Sequence, residues 1–307
     1  MLELIFVIVV MGILGKFGVE FLARSYESFI FSKINNELQA KSESAVELIS
    51  KRLEYRIKKS VIARNLTTGE FNYINDTGLS DPNATVMEWI SMDIDGFRGD
   101  STPFWSGLID LNASTSATLI SPGTNLNNEN TLIQILSYGN TDINNTAIYL
   151  IDTNIYPNPW GYDANITFAG GIFTVSGLAS DGGNPFINDQ NSTLHPIQTD
   201  ANVTHLIPRF ANIHTDVSEY YKLAWTANAI ILEDYNDSTN IGDLYFYYDY
   251  QPWQGETFLN GKRVLLAEDI NTFRFRSAGS LIKIQVCAKS DLLVGEEYAL
   301  CKEKTVY

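Results

Sequence analysis

The first 30 residues form an apolar segment with few charges. Leu4 to Gly15 is an uncharged run of 12 residues, whereas a membrane-spanning helix needs about 20 mostly apolar residues. The segment reaches that length only by including Lys16 and Glu20. Glu3 comes directly before the run. A carboxylate at this place is costly in a bilayer unless it is paired, so it indicates a function.

From residue 34 onward, the hydrophobic positions recur at helical spacing. Most lie three, four or seven residues apart and form one apolar face: Ile34, Leu38, Ala45, Leu48, Ile49, Leu53 and Ile57. The opposite face carries glutamate–lysine pairs four residues apart, which stabilise a helix: Glu37–Lys41, Glu47–Lys51 and Glu54–Lys58. No proline precedes Pro82. We therefore predict one helix from about residue 2 to about residue 62, roughly 90 Å long at 1.5 Å per residue.

Three glycines interrupt the apolar part of this helix. Each costs about 1 kcal/mol relative to alanine, so they mark its weakest stretch. They are Gly12, Gly15 and Gly18.

The helical period is lost after Arg64. Residues 65–215 are rich in Asn, Asp, Gly, Thr and Ser, and we predict short strands joined by long loops there, for example at Thr131–Leu136 and Ala147–Ile151. Six further segments are predicted to be strands: Lys222–Glu233, Asp243–Tyr250, Arg263–Glu268, Thr272–Arg276, Leu281–Ala288 and Tyr298–Lys304. The expected fold is α+β, with a helical spine at residues 1–62 and a β-rich head at residues 63–307. An antiparallel sheet in the head should pack on the outer half of the helix.

The charge is distributed unevenly along the 307 residues. The chain carries 36 acidic and 21 basic residues, a net charge of -15, and 45% of its residues are hydrophobic. Residues 1–64 contribute +3, residues 65–261 contribute -20, and residues 262–307 contribute +2. The hydrophobic content excludes wholesale disorder, and the acidic balance argues against nucleic acid as a partner. The acidic middle is typical of a solvated exterior surface.

Cys287 and Cys301 are the two cysteines. Two isolated cysteines do not make a structural zinc site. In an exported protein they would form a disulfide, whereas in the cytosol they would be free thiols. A secretory signal peptide fits the N-terminus poorly, because no basic stretch comes first and no A-x-A site follows.

The stretch MLELIFVIVVMGIL resembles the methylated N-terminus of type IV pilins and pseudopilins. The family's aromatic-led pair and short basic leader do not precede it in this sequence, and the family's helix-kinking prolines are missing. The resemblance implies processing by a prepilin peptidase, an inner-membrane assembly platform, and a homopolymer that leaves the membrane as an extracellular filament. It implies that Glu3 neutralises the N-terminal amine of a neighbouring subunit. The missing prolines either leave the helix straighter or place its weak point at Gly12–Gly18, the stretch where assembled members of the family often unwind.

Other segments resemble parts of larger pilin-like proteins. VLLAEDINTFRFRSAGSLIKIQVC is similar to the C-terminal sheet of larger minor pilins, while MEWISMDIDGFRGDSTPFWSGLIDL and YYKLAWTANAIILED resemble large pilin-like proteins of Campylobacter-related bacteria. This likeness implies the pilin fold, with a disulfide between Cys287 and Cys301 closing a C-terminal loop. In the chain-entropy model, such a bridge adds roughly 3 kcal/mol of stability.

Nine N-x-[ST] sequons occur, and seven have Asp two residues earlier, where chance predicts about one because acids occupy 36 of 307 positions. Pro82 obstructs one of the seven, Asn83. The remaining pattern resembles the extended sequon of the Campylobacter-type bacterial oligosaccharyltransferase. It implies covalent N-glycans at Asn112, Asn144, Asn165, Asn191, Asn202 and Asn236. The alternative is that Asp and Asn occur together because both favour turns.

A G-x-S-x-G elbow, a P-loop and an H-E-x-x-H motif are all absent from the sequence, and no catalytic residue and no enzyme activity are expected. Asp93, Asp95 and Asp100 together could bind calcium, but a solvated acidic turn is the favoured interpretation. No other cofactor or metal is expected.

The expected function is that of a structural pilus subunit. One alternative is a minor pilin or a secretion pseudopilin that primes or caps a filament. The other, from a different class, is a membrane-anchored binding protein or enzyme, which a cleft with convergent polar groups would favour.

Overall fold

The computed structural model describes residues 2–74, 84–151, 160, 166–169, 172–175, 193–209, 213, 218–290 and 298–307. Its α-helices are α1 (Leu2–Glu54), α2 (Ile94–Arg98) and α3 (Leu126–Leu136). Its strands are β1 (Ile62–Asn65), β2 (Phe71–Tyr73), β3 (Ala84–Ser91), β4 (Leu119–Ile120), β5 (Ala147–Leu150), β6 (Ile166–Ala169), β7 (Ile172–Val175), β8 (Leu194–Gln198), β9 (His205–Pro208), β10 (Tyr221–Ala224), β11 (Thr226–Asn236), β12 (Ile241–Tyr250), β13 (Lys262–Ala278), β14 (Leu281–Ser290) and β15 (Tyr298–Val306).

Two sheets organise the head. The larger has eight antiparallel strands in the order β15-β14-β13-β12-β11-β3-β1-β2, and the smaller has five in the order β10-β5-β8-β9-β4. β6 and β7 pair as a separate hairpin. The α+β prediction, with a long helix packed on a large antiparallel sheet, is confirmed.

The outer half of α1 packs on one face of the large sheet. Most of its apolar stripe is buried, with Ile49 1% and Leu53 0% exposed, but Leu48 is 45% exposed and was wrongly assigned to the buried face. On the sheet side it contacts residues that alternate along the strands, such as Trp89, Ile284 and Val286. The buried face of the helix and the inward-facing residues of the strands therefore form a single hydrophobic core.

Two further cores lie beyond this sheet. The second contains Ala147 and Tyr149 of β5 together with apolar side chains of the large sheet, such as Ile231. The third contains Ile148 and Leu150 of the same strand. Because neighbouring residues of a strand point to opposite faces, the small sheet is buried on both sides.

The predicted helix of residues 2–62 is too long, because α1 ends at Glu54. The Arg56 guanidinium donates to the carbonyl oxygens of Leu53 (2.7 Å), Tyr307 (2.9 Å) and Ser280 (2.9 Å). It therefore ties the end of the helix to the last strand and to the turn between β13 and β14. Ile57 matches the helical stripe in sequence but belongs to the second core.

Thr131–Leu136 lies in α3 and not in a strand, so that prediction was wrong. The Asn125 side chain caps the helix by accepting hydrogen bonds from the backbone amides of residues 127 and 128, each at 3.2 Å. Leu126, Glu129 and Ile133 are the buried residues of α3 and follow a helical spacing.

The predicted strands Arg263–Glu268 and Thr272–Arg276 form one strand, β13. Asp269 lies between them with φ +60°, and the register to both neighbouring strands shifts close to it. A bulge of this kind breaks the period-two pattern without ending the strand.

Cys287 of β14 and Cys301 of β15 form a disulfide between directly paired residues. β15 lies at the edge of the large sheet and also contacts α1, where Lys304 pairs with Glu47 at 2.7 Å. The predicted disulfide is confirmed, and it holds the last strand to its neighbour.

The packing predicts that two leucines of α1 contribute very differently to the free energy of unfolding. Leu53→Ala should lower the free energy of unfolding by about 2–5 kcal/mol, because it leaves a cavity in the core. Leu48→Ala is the matched control, since Leu48 is 45% exposed on the same helix, and should change stability by less than about 1 kcal/mol. Chemical denaturation of both variants measures the difference. Equal losses would contradict the packing described.

Candidate functional sites

The inner half of α1 is an exposed apolar surface. Every side chain from Glu3 to Phe29 is exposed except that of Val10, which is half-buried. Among the described residues, α1 is the one helix long and apolar enough to cross a membrane. Its most apolar 18-residue window has a mean hydropathy of 2.2 and is 0% buried. We call Leu2–Phe29 the free half-helix.

The free half-helix is continuous through its glycines. A Cβ atom built on any of the three would have no heavy atom outside the local helix within 4 Å: Gly12, Gly15 and Gly18. Glycine is therefore not required there by packing within one chain. Glu3 is exposed at the start of the helix. The structure thus places all four predicted assembly residues on the surface that the rest of the chain leaves uncovered.

Four of the six predicted glycosylation sites are exposed: Asn112 in a turn, Asn144 in the 3₁₀-helix Ile143–Asn145, Asn202 in a loop and Asn236 at the end of β11. Two of them also hold their sequon in a turn. The Asn202 amide oxygen accepts hydrogen bonds from the Thr204 amide (3.1 Å) and hydroxyl (3.0 Å), and Asn236 accepts one from the Ser238 amide (2.9 Å). Asn165 and Asn191 lie outside the described residues.

The two-residue offset of the preceding Asp has a structural cause. In three of these sites the Asp carboxylate accepts a hydrogen bond from the backbone amide of the Asn. The pairs are Asp110 to Asn112 (3.0 Å), Asp142 to Asn144 (2.8 Å) and Asp200 to Asn202 (2.7 Å). This Asx turn fixes the offset by itself, so the spacing alone does not separate enzyme recognition from local folding.

Asp93, Asp95 and Asp100 do not form a cluster. Asp95 and Asp100 are exposed, whereas Asp93 is 3% exposed and accepts a hydrogen bond from Trp105 Nε1 at 2.9 Å. Within the described ranges, no group of three or more His, Cys, Asp or Glu side chains could hold a metal ion. The three side chains therefore do not converge on one site, because Asp93 is buried whereas Asp95 and Asp100 are exposed.

Asp93 instead faces Glu129, a residue that the sequence analysis missed. Glu129 is 0% exposed in α3. A Cβ atom built on Gly96 would lie 2.0 Å from Glu129 Oε2 and 2.1 Å from Asp93 Oδ2, so only glycine leaves room for the two converging carboxyl groups. The spacing of Leu126, Glu129 and Ile133 would have placed Glu129 on a buried face, had this segment been predicted as a helix.

The electrostatics of this carboxyl pair are unusual. Burial, the Asp93 carboxyl group and the nearby Asp95 together raise the pKa of Glu129 to about 10. Burial also raises the pKa of Asp93, against the effect of the Glu129 and Trp105 hydrogen bonds. Two carboxylates in a low-dielectric site cannot both ionise without a compensating positive charge.

A cleft lies between the end of α1, the large sheet and the start of α2. It has a volume of about 320 Å³ and is lined by polar and aromatic side chains that include Arg52, Asp93, Asp95, Asn228 and Tyr248. This volume lies at the lower end of the range for small-molecule sites.

No family model, curated protein or solved structure matches this chain. The features of the chain that bear on its function are the free half-helix, the exposed sequons, the buried carboxyl pair and the cleft.

The carboxyl pair predicts that stability falls as the pH rises. The folded chain keeps a proton on Glu129 up to about pH 10, whereas the unfolded chain releases it near the ordinary pKa of 4.5. The folded state therefore binds more protons between these values. Its free energy of unfolding should decrease from about pH 5 to about pH 9, by at most about 1.4 kcal/mol per pH unit from this group.

Denaturation at several pH values with a chelator present measures this slope. Glu129→Gln should remove most of it and stabilise the protein at alkaline pH. Asp100→Asn, an exposed acid of the same segment, should keep the wild-type slope. A slope that is unchanged in Glu129→Gln would contradict the assignment.

Proposed function

We propose that this chain is a type IV pilin-like structural subunit whose function is assembly and not catalysis. The observation that carries the proposal is the contrast between the two halves of α1. The outer half is buried against an antiparallel sheet, while the free half-helix exposes a mostly apolar surface that carries a few charged residues. This arrangement, the MLELIFVIVVMGIL segment and the disulfide between the last two strands all agree with the pilin plan.

Two environments would cover the free half-helix in turn. At 1.5 Å per residue its 28 residues extend about 42 Å, which exceeds the hydrocarbon core of a bilayer, so it anchors the unassembled subunit in the inner membrane. In the filament, the same surface packs against other copies, at about 25 cal/mol per Å² of apolar area removed from water. Both environments remove the same apolar side chains from water, so transfer from one to the other is feasible.

Glu3 would set the register between neighbouring copies. Within the described residues it has no ion-pair partner in its own chain. A carboxylate buried in an apolar bundle needs a cation, and the amine at the start of an adjacent chain would supply one. The acidic head would then face solvent and keep the filament soluble.

A specific observation supports each of two alternative functions. A minor pilin or pseudopilin would share the helix but cap or prime a filament, and the large head agrees with that role. A membrane-anchored binding protein is favoured by the cleft, where Arg52, Asn228 and Tyr248 converge on a space of about 320 Å³. The amount of this chain in purified filaments separates these alternatives from the main proposal.

Replacing Glu3 provides the direct test of assembly. Glu3→Ala should abolish or disorder filaments in the native host, because the register-setting charge is lost, while the protein still reaches the membrane. Glu54→Ala is the matched control on the same helix, since Glu54 is also exposed, and should assemble normally. Sheared-filament yield and electron microscopy give the readout. Normal filaments from Glu3→Ala, or a wild-type chain found only as dispersed monomers, would refute the proposal.

We further propose that a bacterial oligosaccharyltransferase modifies the exposed sequons. Glycopeptide mass spectrometry of native protein should find glycans at Asn112, Asn144, Asn165, Asn191, Asn202 and Asn236. Asn83 should be unmodified, because Pro82 obstructs its sequon. Asp110→Ala with Asp110→Glu then separates the two causes of the offset. Loss of the glycan at Asn112 only in the alanine variant would indicate recognition of the acid, and unmodified asparagine at all six sites would exclude glycosylation.

A further inference from the structure

The carboxyl pair lacks a positive partner. No lysine, arginine or histidine in the part of the chain that the structure describes forms an ion pair with Asp93, Asp95 or Glu129. The three acids come from two segments 34 or more residues apart. A cluster of negative charge held together by the fold without a counter-charge requires a proton or a cation to be stable.

Glu129 is the group that points to a ligand. Asp93 has a donor in Trp105 Nε1, but Glu129 can form a hydrogen bond with Asp93 only where the two carboxyl groups share a proton, and without that proton both of its buried oxygens lack a hydrogen-bond partner among the described residues. A single proton shared with Asp93 satisfies only one of these two oxygens. An unpaired buried oxygen costs about 1–3 kcal/mol, so the site is incomplete without a further ligand.

We propose that Asp93 and Glu129 bind one hard divalent cation of the calcium and magnesium type. Carboxylate oxygens are the ligands that these cations prefer, and two carboxylates neutralise the two charges of the ion. Magnesium in particular binds through one or two carboxylates and keeps several waters. Backbone oxygens and water complete the coordination, and Asp95 adds negative potential from nearby.

The cleft gives a cation access to Asp93, one of the two carboxyl groups of the pair. Its lining includes Asp93 and Asp95, and its volume of about 320 Å³ has room for an ion with several waters, each of which takes about 30 Å³. This site differs from the trio that the sequence suggested. Asp100 is replaced by Glu129, which comes from α3 and lies close only in the folded chain.

Terbium luminescence tests the site directly on the full chain in detergent, after chelation and buffer exchange. Terbium is a hard oxygen-binding ion, and excitation through tryptophan reports an ion close to the Trp105 indole. We expect a saturable signal from one site per chain. Calcium and magnesium are then added separately as competitors, and the one that displaces terbium at the lower concentration identifies the preferred ion.

Two variants decide where the ion binds. Glu129→Gln should weaken terbium binding by roughly 10- to 100-fold or more, since it removes a ligand, and Asp100→Asn should leave it unchanged. Near-ultraviolet circular dichroism checks that Glu129→Gln keeps its fold, and Asp93→Asn serves as a second ligand variant if it does not. The absence of saturable binding in the wild-type chain, or equal affinity in the wild type and the folded ligand variant, would overturn the proposal. Neither result depends on whether the chain forms filaments.

Discussion

The rest of the chain covers only one half of the long helix α1. The outer half meets a sheet whose inward side chains match its stripe, so Ile49 and Leu53 are removed from water. Among the described residues, no sheet lies opposite the free half-helix. An exposed apolar surface of this size is typical of a site that contacts a membrane or another protein.

The sequence specifies most of the architecture wherever one period extends over many residues. The stripe on α1 and the alternating strands near the C-terminus were predictable, because a single buried face imposes each pattern. Local events that end or join elements were not. Arg56 ends the helix through contacts with carbonyl groups more than 200 residues away, and Asp269 joins two predicted strands through a bulge.

The candidate sites also differ in whether the sequence predicts them. Glu3 and the glycines of the free half-helix were identified from one continuous segment. The pairing of Asp93 with Glu129 was not, because it required α3 to be recognised as a helix and then folded against α2. The opposite holds for Asp93, Asp95 and Asp100. They are close together in sequence, but in the fold Asp93 is buried whereas Asp95 and Asp100 are exposed. Closeness in sequence therefore did not predict which acidic side chains lie together in the fold.

The order of the strands has a consequence for biosynthesis. α1 is translated first, but the strands that cover its stripe are translated last, and β15 is held to the helix by Lys304 and to Arg56 by the carbonyl of Tyr307. During most of its synthesis, the nascent chain therefore exposes the hydrophobic stripe on the outer half of α1. The exposed stripe can therefore associate with other hydrophobic surfaces until the C-terminal strands have been synthesised.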